Sequence, residues 1–323
     1  MRILDAAAVD ELIEYPMVLD AVRDLFSITA GPEHIGYGRI DLAHPKGWLR
    51  SLPAYVISQD LLGFKVLHRT EGVGMRYTVY VHGLTTGEPR GIVDALEVTN
   101  ARTGAVTAVA TEHLAPEVEV AALIGTGPVA RGQLRALELV RPAREVRVFA
   151  RTPARREGFV EEMADHVSGR LVAVDSLDEA LEGASMVTLA TKAAEPVLRR
   201  HHLRPGLHVN SVGPASRDRV EVDPAVFKEF DRVVCDSIDL VLDEAGDAYQ
   251  AVSFHGFDRE RASDLADVVS GSVRGRVSDD EITLFKSVGT GAQDLVVAAR
   301  LLDLAEQRGV GTVVGALNSV KPG

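Results

Sequence analysis

The most specific spacing in this chain is Gly125-Thr126-Gly127-Pro128-Val129-Ala130, which follows the short apolar run Val120–Ile124 and opens a helix-forming run that reaches residue 139. Gly-x-Gly-x-x-Ala between a strand and a helix is a dinucleotide-binding spacing. Gly125 allows the tight turn, Gly127 lets the backbone approach a pyrophosphate, and Ala130 lets the helix pack closely on the strand. Pro128, Val129 and Ala130 lead into that helix, read from Ala130 on, whose free N–H groups and positive dipole end suit phosphates. The same glycines also occur as a purely structural turn. Context favours the nucleotide, because a second strand, Glu145-Val-Arg-Val-Phe-Ala150, follows where ribose recognition is expected.

An acid that binds a ribose 2′-OH normally ends that second strand. Here the chain reads Ala150-Arg151-Thr152 instead. Arg151 and Thr152, with Arg155 or Arg156 helping, can meet a 2′-phosphate, so NADP(H) is the preferred cofactor and NAD(H) a possible one. The alternative is that Arg151 only stacks on adenine.

Three cations have the chemistry to handle a carboxylate or an imine. Lys65 lies in Gly63-Phe-Lys-Val-Leu67, and an ammonium within an apolar strand is costly to bury without a partner. It is either a proton or hydrogen-bond donor to a carbonyl or imine, or an outward lysine on an alternating strand. Arg102 follows Thr99-Asn100, read as the cap of a helix of small residues over 101–113. A guanidinium in a first helical turn makes a carboxylate site, though a surface arginine fits the pattern too. Arg39, in Gly38-Arg-Ile-Asp41, is a similar and weaker candidate.

Other chemistries find little support. The ten histidines show no metal-ligand spacing, and His201-His202 beside Arg199-Arg200 reads as a solvated turn. No Gly-x-Ser-x-Gly elbow is present, and the single cysteine, Cys235, has an apolar strand-like setting. One cysteine forbids an intrachain disulfide and fits a reducing compartment. The net charge of −12, without a basic run, argues against nucleic-acid and membrane-surface partners. No apolar stretch reaches the roughly 18 residues of a membrane span, and the start of the chain lacks a signal-like apolar core. A cytoplasmic location is expected.

The elements that must position these residues fall into two groups, and 323 residues suffice for two domains. The first holds a helix over 5–30, interrupted near Pro16, and alternating strands at 48–56, 63–68, 76–84 and 91–96, with Thr86-Gly87 as a hairpin turn. From 118 onward strands at 120–124, 145–150, 171–174, 186–190, 207–212, 232–236 and 281–285 alternate with helices, as parallel βαβ units do. A last helix over 292–307 is expected to cross back. The fold class is therefore α/β: a Rossmann dinucleotide-binding domain over 118–291, and a β-rich α+β substrate and dimerisation domain over 1–117 completed by 292–323. The apolar alternation over 48–96 exceeds what a domain of that size covers alone, so a homodimer is expected.

Several blocks in order give the chain a wider resemblance: Gly63-Phe-Lys65; Asp94-Ala-Leu-Glu-Val-Thr-Asn-Ala-Arg102; His113-Leu-Ala-Pro116; Ile124-Gly-Thr-Gly127; Val148-Phe-Ala-Arg-Thr-Pro153; Ala190-Thr191 with Glu195-Pro-Val; Gly206-Leu-His-Val-Asn-Ser-Val-Gly213; and Leu284-Phe-Lys-Ser-Val-Gly289. As a set they resemble the ornithine cyclodeaminase/mu-crystallin family over nearly the whole length. The resemblance implies that Lys65 is the catalytic lysine and that Arg39 and Arg102 hold a substrate carboxylate. It also implies that Thr188, Ala190, Thr191, Asn210, Val212, Ser287, Val288 and Gly289 line the cofactor. Cyclodeaminases carry an aspartate two residues beyond the Val-Gly of their block; this chain has Ala215 there, with Asp218, Glu221 and Asp223 following, and resembles the reductase branch. It also lacks a Pro-x-Asn after the lysine, reading His68-Arg-Thr-Glu-Gly instead. The implied activity is NAD(P)H-dependent reduction of an α-imino acid, a ketimine or cyclic imine, or the reverse oxidation of an α-amino acid. The alternatives are an ornithine-cyclodeaminase-type lyase with bound NAD, and a non-catalytic, mu-crystallin-like NADP-dependent binding protein.

Overall fold

The computed structural model describes residues 1–28, 34–36, 38–213 and 215–315. The chain divides into two compact units, one of Met1–Arg102 with Thr290 onward and one of Thr103–Gly289. The expected helix over 5–30 is two helices, α1 (Ala6–Leu12) and α2 (Tyr15–Ser27), because Asp5 caps the first and Pro16 opens the second. Its expected last residues, 29 and 30, lie outside the described residues.

In the first unit the strands are β1 (Arg2–Leu4), β2 (His34–Gly36), β3 (Ile40–His44), β4 (Gly47–Val56), β5 (Leu61–Thr70), β6 (Gly74–Gly83) and β7 (Pro89–Asp94). The chain returns to this unit through α10 (Gly291–Arg308) and β16 (Thr312–Val313). The sheet order is β16-β1-β7-β6-β5-β4-β2, with β3 on β4, and β4 to β7 form an antiparallel meander. β1 and β16 are too short to be visible as alternating runs. Between β7 and the second unit runs α3 (Leu96–Leu114), within which the division of the chain falls. Thr99 and Asn100 are not its cap. Asp94 Oδ1 accepts from the Leu96 N–H, so the helix starts earlier and Arg102 lies in its second turn.

Paired residues on neighbouring strands share a face of a sheet. Leu52, Lys65, Val79 and Val93 are successive partners across β4 to β7, and the face they occupy is buried. Helix α10 lies on this face at close range. A Cβ on Gly291 would strike the Leu52 carbonyl oxygen, and one on Gly63 would come within 2.8 Å of the Leu295 side chain. Those two glycines let the helix sit low enough for Asp294, one turn in, to reach Lys65.

The second unit is a sheet of eight parallel strands in the order β10-β9-β8-β11-β12-β15-β13-β14. Its elements are β8 (Val120–Ile124), α4 (Pro128–Val140), β9 (Glu145–Phe149), α5 (Pro153–Met163), β10 (Arg170–Ala173), α6 (Leu177–Leu181), β11 (Met186–Leu189), β12 (His208–Ser211), β13 (Arg232–Cys235), α7 (Ile238–Glu244), α8 (Gly246–Phe254), β14 (Ala262–Asp264), α9 (Leu265–Val269) and β15 (Thr283–Lys286). The strand β14 escaped the sequence reading because Ala-Ser-Asp has neither length nor apolar alternation. The order reverses between β8 and β11, and at such switch points open α/β sheets bind ligands.

His208 is buried among Thr283, Asn210 and Thr111 in this unit. Its Nε2 donates to Asn210 Oδ1 at 3.0 Å, its Nδ1 stands 2.8 Å from Thr283 Oγ1, and Asn210 Nδ2 donates to Thr111 Oγ1 at 3.1 Å. Burial, with Arg276 and Arg141 adding, pushes this imidazole down to about 3. The unfolded chain therefore takes up a proton near pH 6.5 that the folded chain refuses until about pH 3. His208 thus adds stability above pH 6.5 that is lost as the pH falls towards 3. Urea titrations should show stability dropping by about 1.4 kcal/mol per pH unit from this group between pH 6 and 4. His208→Gln should flatten that slope.

Candidate active site

Lys65 meets the carboxylate of Asp294 across the sheet–helix contact of the first unit. Lys65 Nζ donates to Asp294 Oδ1 at 2.8 Å, and Arg102 Nε donates to the same oxygen at 3.2 Å. Arg102 is held a second time, donating from Nη1 to Gln293 Oε1 at 2.6 Å. Thr99 Oγ1 lies 3.5 Å from Asp294 Oδ1, and the Tyr77 ring centroid is 5.5 Å from Lys65 Nζ. Lys65 is 3% exposed, so it faces the covered side of the sheet and is not an outward lysine. Arg39, half-buried, is near enough for its charge to act on Lys65. The structure therefore brings Lys65, Arg102 and Arg39 together. The expected partnership of Arg102 with a helix N-terminus is replaced by partnership with Asp294.

Burial pushes the Lys65 ammonium down from its ordinary value to about 8; Asp294 opposes this, and the Arg102 and Arg39 charges add to it. For Asp294, burial pushes the carboxyl up, but Arg102 and Lys65 outweigh it and hold the group below the usual carboxylate range. The cluster thus presents cations around a single shared anion. It can exchange bonds with an incoming carboxylate and give up a proton near neutrality.

In the second unit the glycine turn has the geometry a dinucleotide needs. Gly125 has φ +116°, and a Cβ there would strike the Ala190 carbonyl oxygen, so the turn is pressed against the end of β11. Gly127, the N-cap of α4, has open space where its Cβ would stand and no side chain capping the helix. Pro128 occupies the first helical turn, Val129 follows it, and Ala130 is fully buried against the sheet. A second pair of glycines supports the motif: a Cβ on Gly104 in α3 would collide with the Gly132 carbonyl oxygen of α4.

The loops after β11, β12 and β15 are tied by buried charges. Glu221 Oε1 accepts from the Thr191 N–H at 2.7 Å and Oγ1 at 2.8 Å, and Oε2 accepts from Ser211 Oγ at 2.7 Å and the Gly213 N–H at 2.8 Å. Lys286 Nζ donates to Ser211 Oγ and to Asp247 Oδ2, both at 2.8 Å. Burial pushes the Glu221 carboxyl up, against the Lys286 charge and these bonds. Removing one member of such a buried pair typically costs about 3–5 kcal/mol. Beside it, Asp236 accepts from Ser287 Oγ at 2.7 Å and from the Val288 and Gly289 N–H groups at 3.2 and 2.7 Å. Ala190 and Thr191 are half-buried at the switch point, and the Val212 N–H donates to the Leu189 carbonyl. Thr188 and Asn210 are buried, and the Asn210 amide is spent on Thr111 and His208.

Arg151 and Thr152 are exposed at the end of β9 and the start of α5. Arg156 is not available beside them: it is buried, bonded to Asp175 and donating to the Ala150 carbonyl at 3.3 Å. Asp218 sits in the open, bonded to Ser216 and paired with Arg219 at 3.6 Å. Among the described residues, Asp178, His201 and His202 could approach one ion. The His202 Nδ1, however, already accepts from the Arg199 N–H at 3.0 Å, so its Nε2 carries the proton facing Asp178 at 3.2 Å. That arrangement suits a hydrogen-bonded turn.

Asp294, Gln293, Tyr77, Glu221, Asp247 and Lys286 were missed by sequence reasoning as site residues. Asp294 and Lys286 carried a signal: Asp294 is a lone charge within the run Ala292 to Ala299, and Lys286 directly follows Leu284-Phe285. Such a charge is costly unless paired.

A parallel doubly wound sheet with a glycine turn at its switch point defines a Rossmann-type nucleotide-binding unit. Residues 3–309 match the model of the ornithine cyclodeaminase/mu-crystallin family. The chain belongs to that family. It is 31% identical to an uncharacterized cyclodeaminase of Sinorhizobium fredii over 97% of this chain and 98% of the relative. It is also 31% identical to a delta(1)-pyrroline-2-carboxylate reductase of Bacillus cereus, over 80% and 82% of the two chains. The solved structure of the delta(1)-pyrroline-2-carboxylate reductase of Thermococcus litoralis, in complex with NADH and L-proline, superposes with a TM-score of 0.91 at 31% identity. It covers 97% of this chain and all of that one. No helix among the described residues is long and apolar enough to cross a membrane.

Proposed function

We propose that this protein is an NAD(P)H-dependent oxidoreductase that reduces an α-imino acid, a ketimine or cyclic imine, and runs the reverse oxidation of the amino acid. The observation that carries this reading is the buried cluster of Lys65, Arg102 and Asp294. It supplies a proton donor and a guanidinium at one point, which an imine next to a carboxylate requires. Arg102 and Arg39 take the carboxylate, and Lys65 hydrogen-bonds and protonates the imine nitrogen. Gly125, Thr126, Gly127 and the start of α4 would hold the pyrophosphate, and the loops bearing Ala190, Thr191, Val212 and Ser287 to Gly289 would border the nicotinamide half. When bound, the nicotinamide supplies the hydride. Support comes from the two relatives named as pyrroline-2-carboxylate reductases.

The relative named a cyclodeaminase keeps a second reading open. It is weakened by Ala215, which has no carboxylate, and by the exposed position of Asp218, which is engaged with Ser216 and Arg219. Following NADPH oxidation with Δ1-pyrroline-2-carboxylate separates the readings. A reductase consumes cofactor stoichiometrically, a cyclodeaminase converts ornithine with no net consumption, and a binding protein does neither. Lys65→Ala should lower imine reduction by about 10²–10⁴-fold while leaving cofactor affinity intact. Retention of rate within a few-fold would assign the proton to another group.

The exposed Arg151 and Thr152, with no acid in their place, support a preference for NADPH. Arg151→Ala should weaken NADPH binding at least tenfold more than NADH binding, because a charge-assisted contact to the 2′-phosphate is lost. Equal losses would leave only adenine stacking.

The assembly read here is a homodimer through the first unit. Ile40 and Leu42 on β3 are 61% and 62% exposed, an apolar strand open to a partner. Sedimentation should give twice the chain mass at micromolar concentration, with Leu42→Glu shifting the protein towards monomer.

A further inference from the structure

We propose that Asp294 is a positioning residue for imine reduction: it holds Lys65 as an aimed ammonium and so sets the pH above which the reaction fails. This inference rests on the reductase reading given above. The groups facing Lys65 are Asp294 from α10, Arg102 from α3, Arg39 ahead of β3 and the Tyr77 phenol from β6. Two are cations, one is a neutral ring, and Asp294 alone is an anion. The only hydrogen bond of the Lys65 ammonium among the described residues goes to Asp294 Oδ1, at 2.8 Å.

Arg102 does not account for Asp294 equally well, since it has a second acceptor in Gln293 Oε1. Asp294 Oδ2, moreover, is buried with no hydrogen-bond partner among the described residues. An unpaired carboxylate oxygen in such a place is costly, and the pairing of Oδ1 with Lys65 and Arg102 offsets that cost. Of the two cations, the one that depends on this charge more is Lys65.

In the step itself, the hydride adds at the imine carbon, and the nitrogen takes a proton from Lys65 Nζ as the C=N π pair becomes an N–H bond. A bound reduced nicotinamide would supply that hydride and so end oxidised, and the neutral Lys65 amine regains its proton from solvent. Without Asp294 the amine faces, among the described residues, the Arg102 and Arg39 charges with no acceptor to orient it, so it gives up its proton at a lower pH.

The test is an NMR titration of protein labelled with 13Cε-lysine, with the Lys65 signal assigned through Lys65→Met. The wild-type midpoint should lie at about 8. Asp294→Asn should lower it by about 1–3 pH units, the usual effect of losing a close opposite charge, while Asp294→Glu, which keeps the charge, should hold it above the Asn variant. The alkaline limb of kcat for Δ1-pyrroline-2-carboxylate with NADPH should move with the midpoint. The Asn variant should then lose about tenfold more rate at pH 8 than at pH 6. A lysine midpoint unmoved in a folded Asn variant overturns the proposal. So does a wild-type midpoint below 6, which decides the matter if the Asn variant does not fold. Absence of any imine turnover by the wild type would overturn the reductase reading instead, and the lysine titration would still decide the role of Asp294.

Discussion

A single carboxylate oxygen, Asp294 Oδ1, balances the charge of the buried face of the first unit. Lys65 stands in a row with Leu52, Val79 and Val93, where an ammonium has no water to solvate it, and Arg102 is buried beside it. Each cation taken alone would cost several kcal/mol to bury. Sharing one anion makes the burial tolerable and still leaves positive charge over. The backbone is arranged around this contact. Gly63 and Gly291 remove the two side chains that would lift α10 off the sheet, and α3 begins at Leu96 rather than at Ala101, so that Arg102 reaches Asp294 from its second turn.

The second unit solves the same problem of buried charge in the opposite way. Around Glu221 each carboxylate oxygen has two donors, and Lys286 is divided between Ser211 and Asp247. A fully satisfied polar network in a low-dielectric interior is stiff. It fixes the ends of β11, β12 and β15, where a doubly wound sheet presents its ligand-binding edge. The cluster around Lys65, where among the described residues one carboxylate oxygen lacks a partner and the ammonium has one bond, is the less satisfied of the two. That difference matches the difference between holding a site in shape and moving a proton within it.

Much of this was legible in the sequence, and the reasons differ by residue. The glycine turn could be read because its spacing reflects local backbone conformation: Gly125 has a positive φ, and Gly127 leaves open space at the start of α4. The parallel sheet could be read because short strand-like runs such as Val120–Ile124 alternate with helix-forming ones. The role of Asp294 could not, because its partners are 192 and 229 residues away in the chain and periodicity records nothing of pairings at that range. The start of α3 was misplaced for a more local reason. Thr99 and Asn100 have cap chemistry, but Asp94 provides it first, while Thr99 Oγ1 turns back to the Ala95 carbonyl. Arg156 was misread because its side chain is buried and engaged with the Ala150 carbonyl and with Asp175, which sits on another strand's loop.

The first unit is assembled from the two ends of the chain, and this has a consequence for biosynthesis. Residues 1–102 leave the ribosome while α10 and β16 are still unmade, and the whole second unit is synthesised in between. During that interval the face bearing Leu52, Val79 and Val93 lacks its covering helix, and β1 lacks its neighbour β16. Lys65 and Arg102 also lack their counter-ion. The second unit, contiguous in sequence, can complete its own core first, as domains made in one stretch generally do. The late helix then brings the apolar cover and the neutralising carboxylate in one piece. An interrupted or truncated product that stops before residue 290 would therefore expose a greasy, positively charged sheet, a form that chaperones retain and proteases remove.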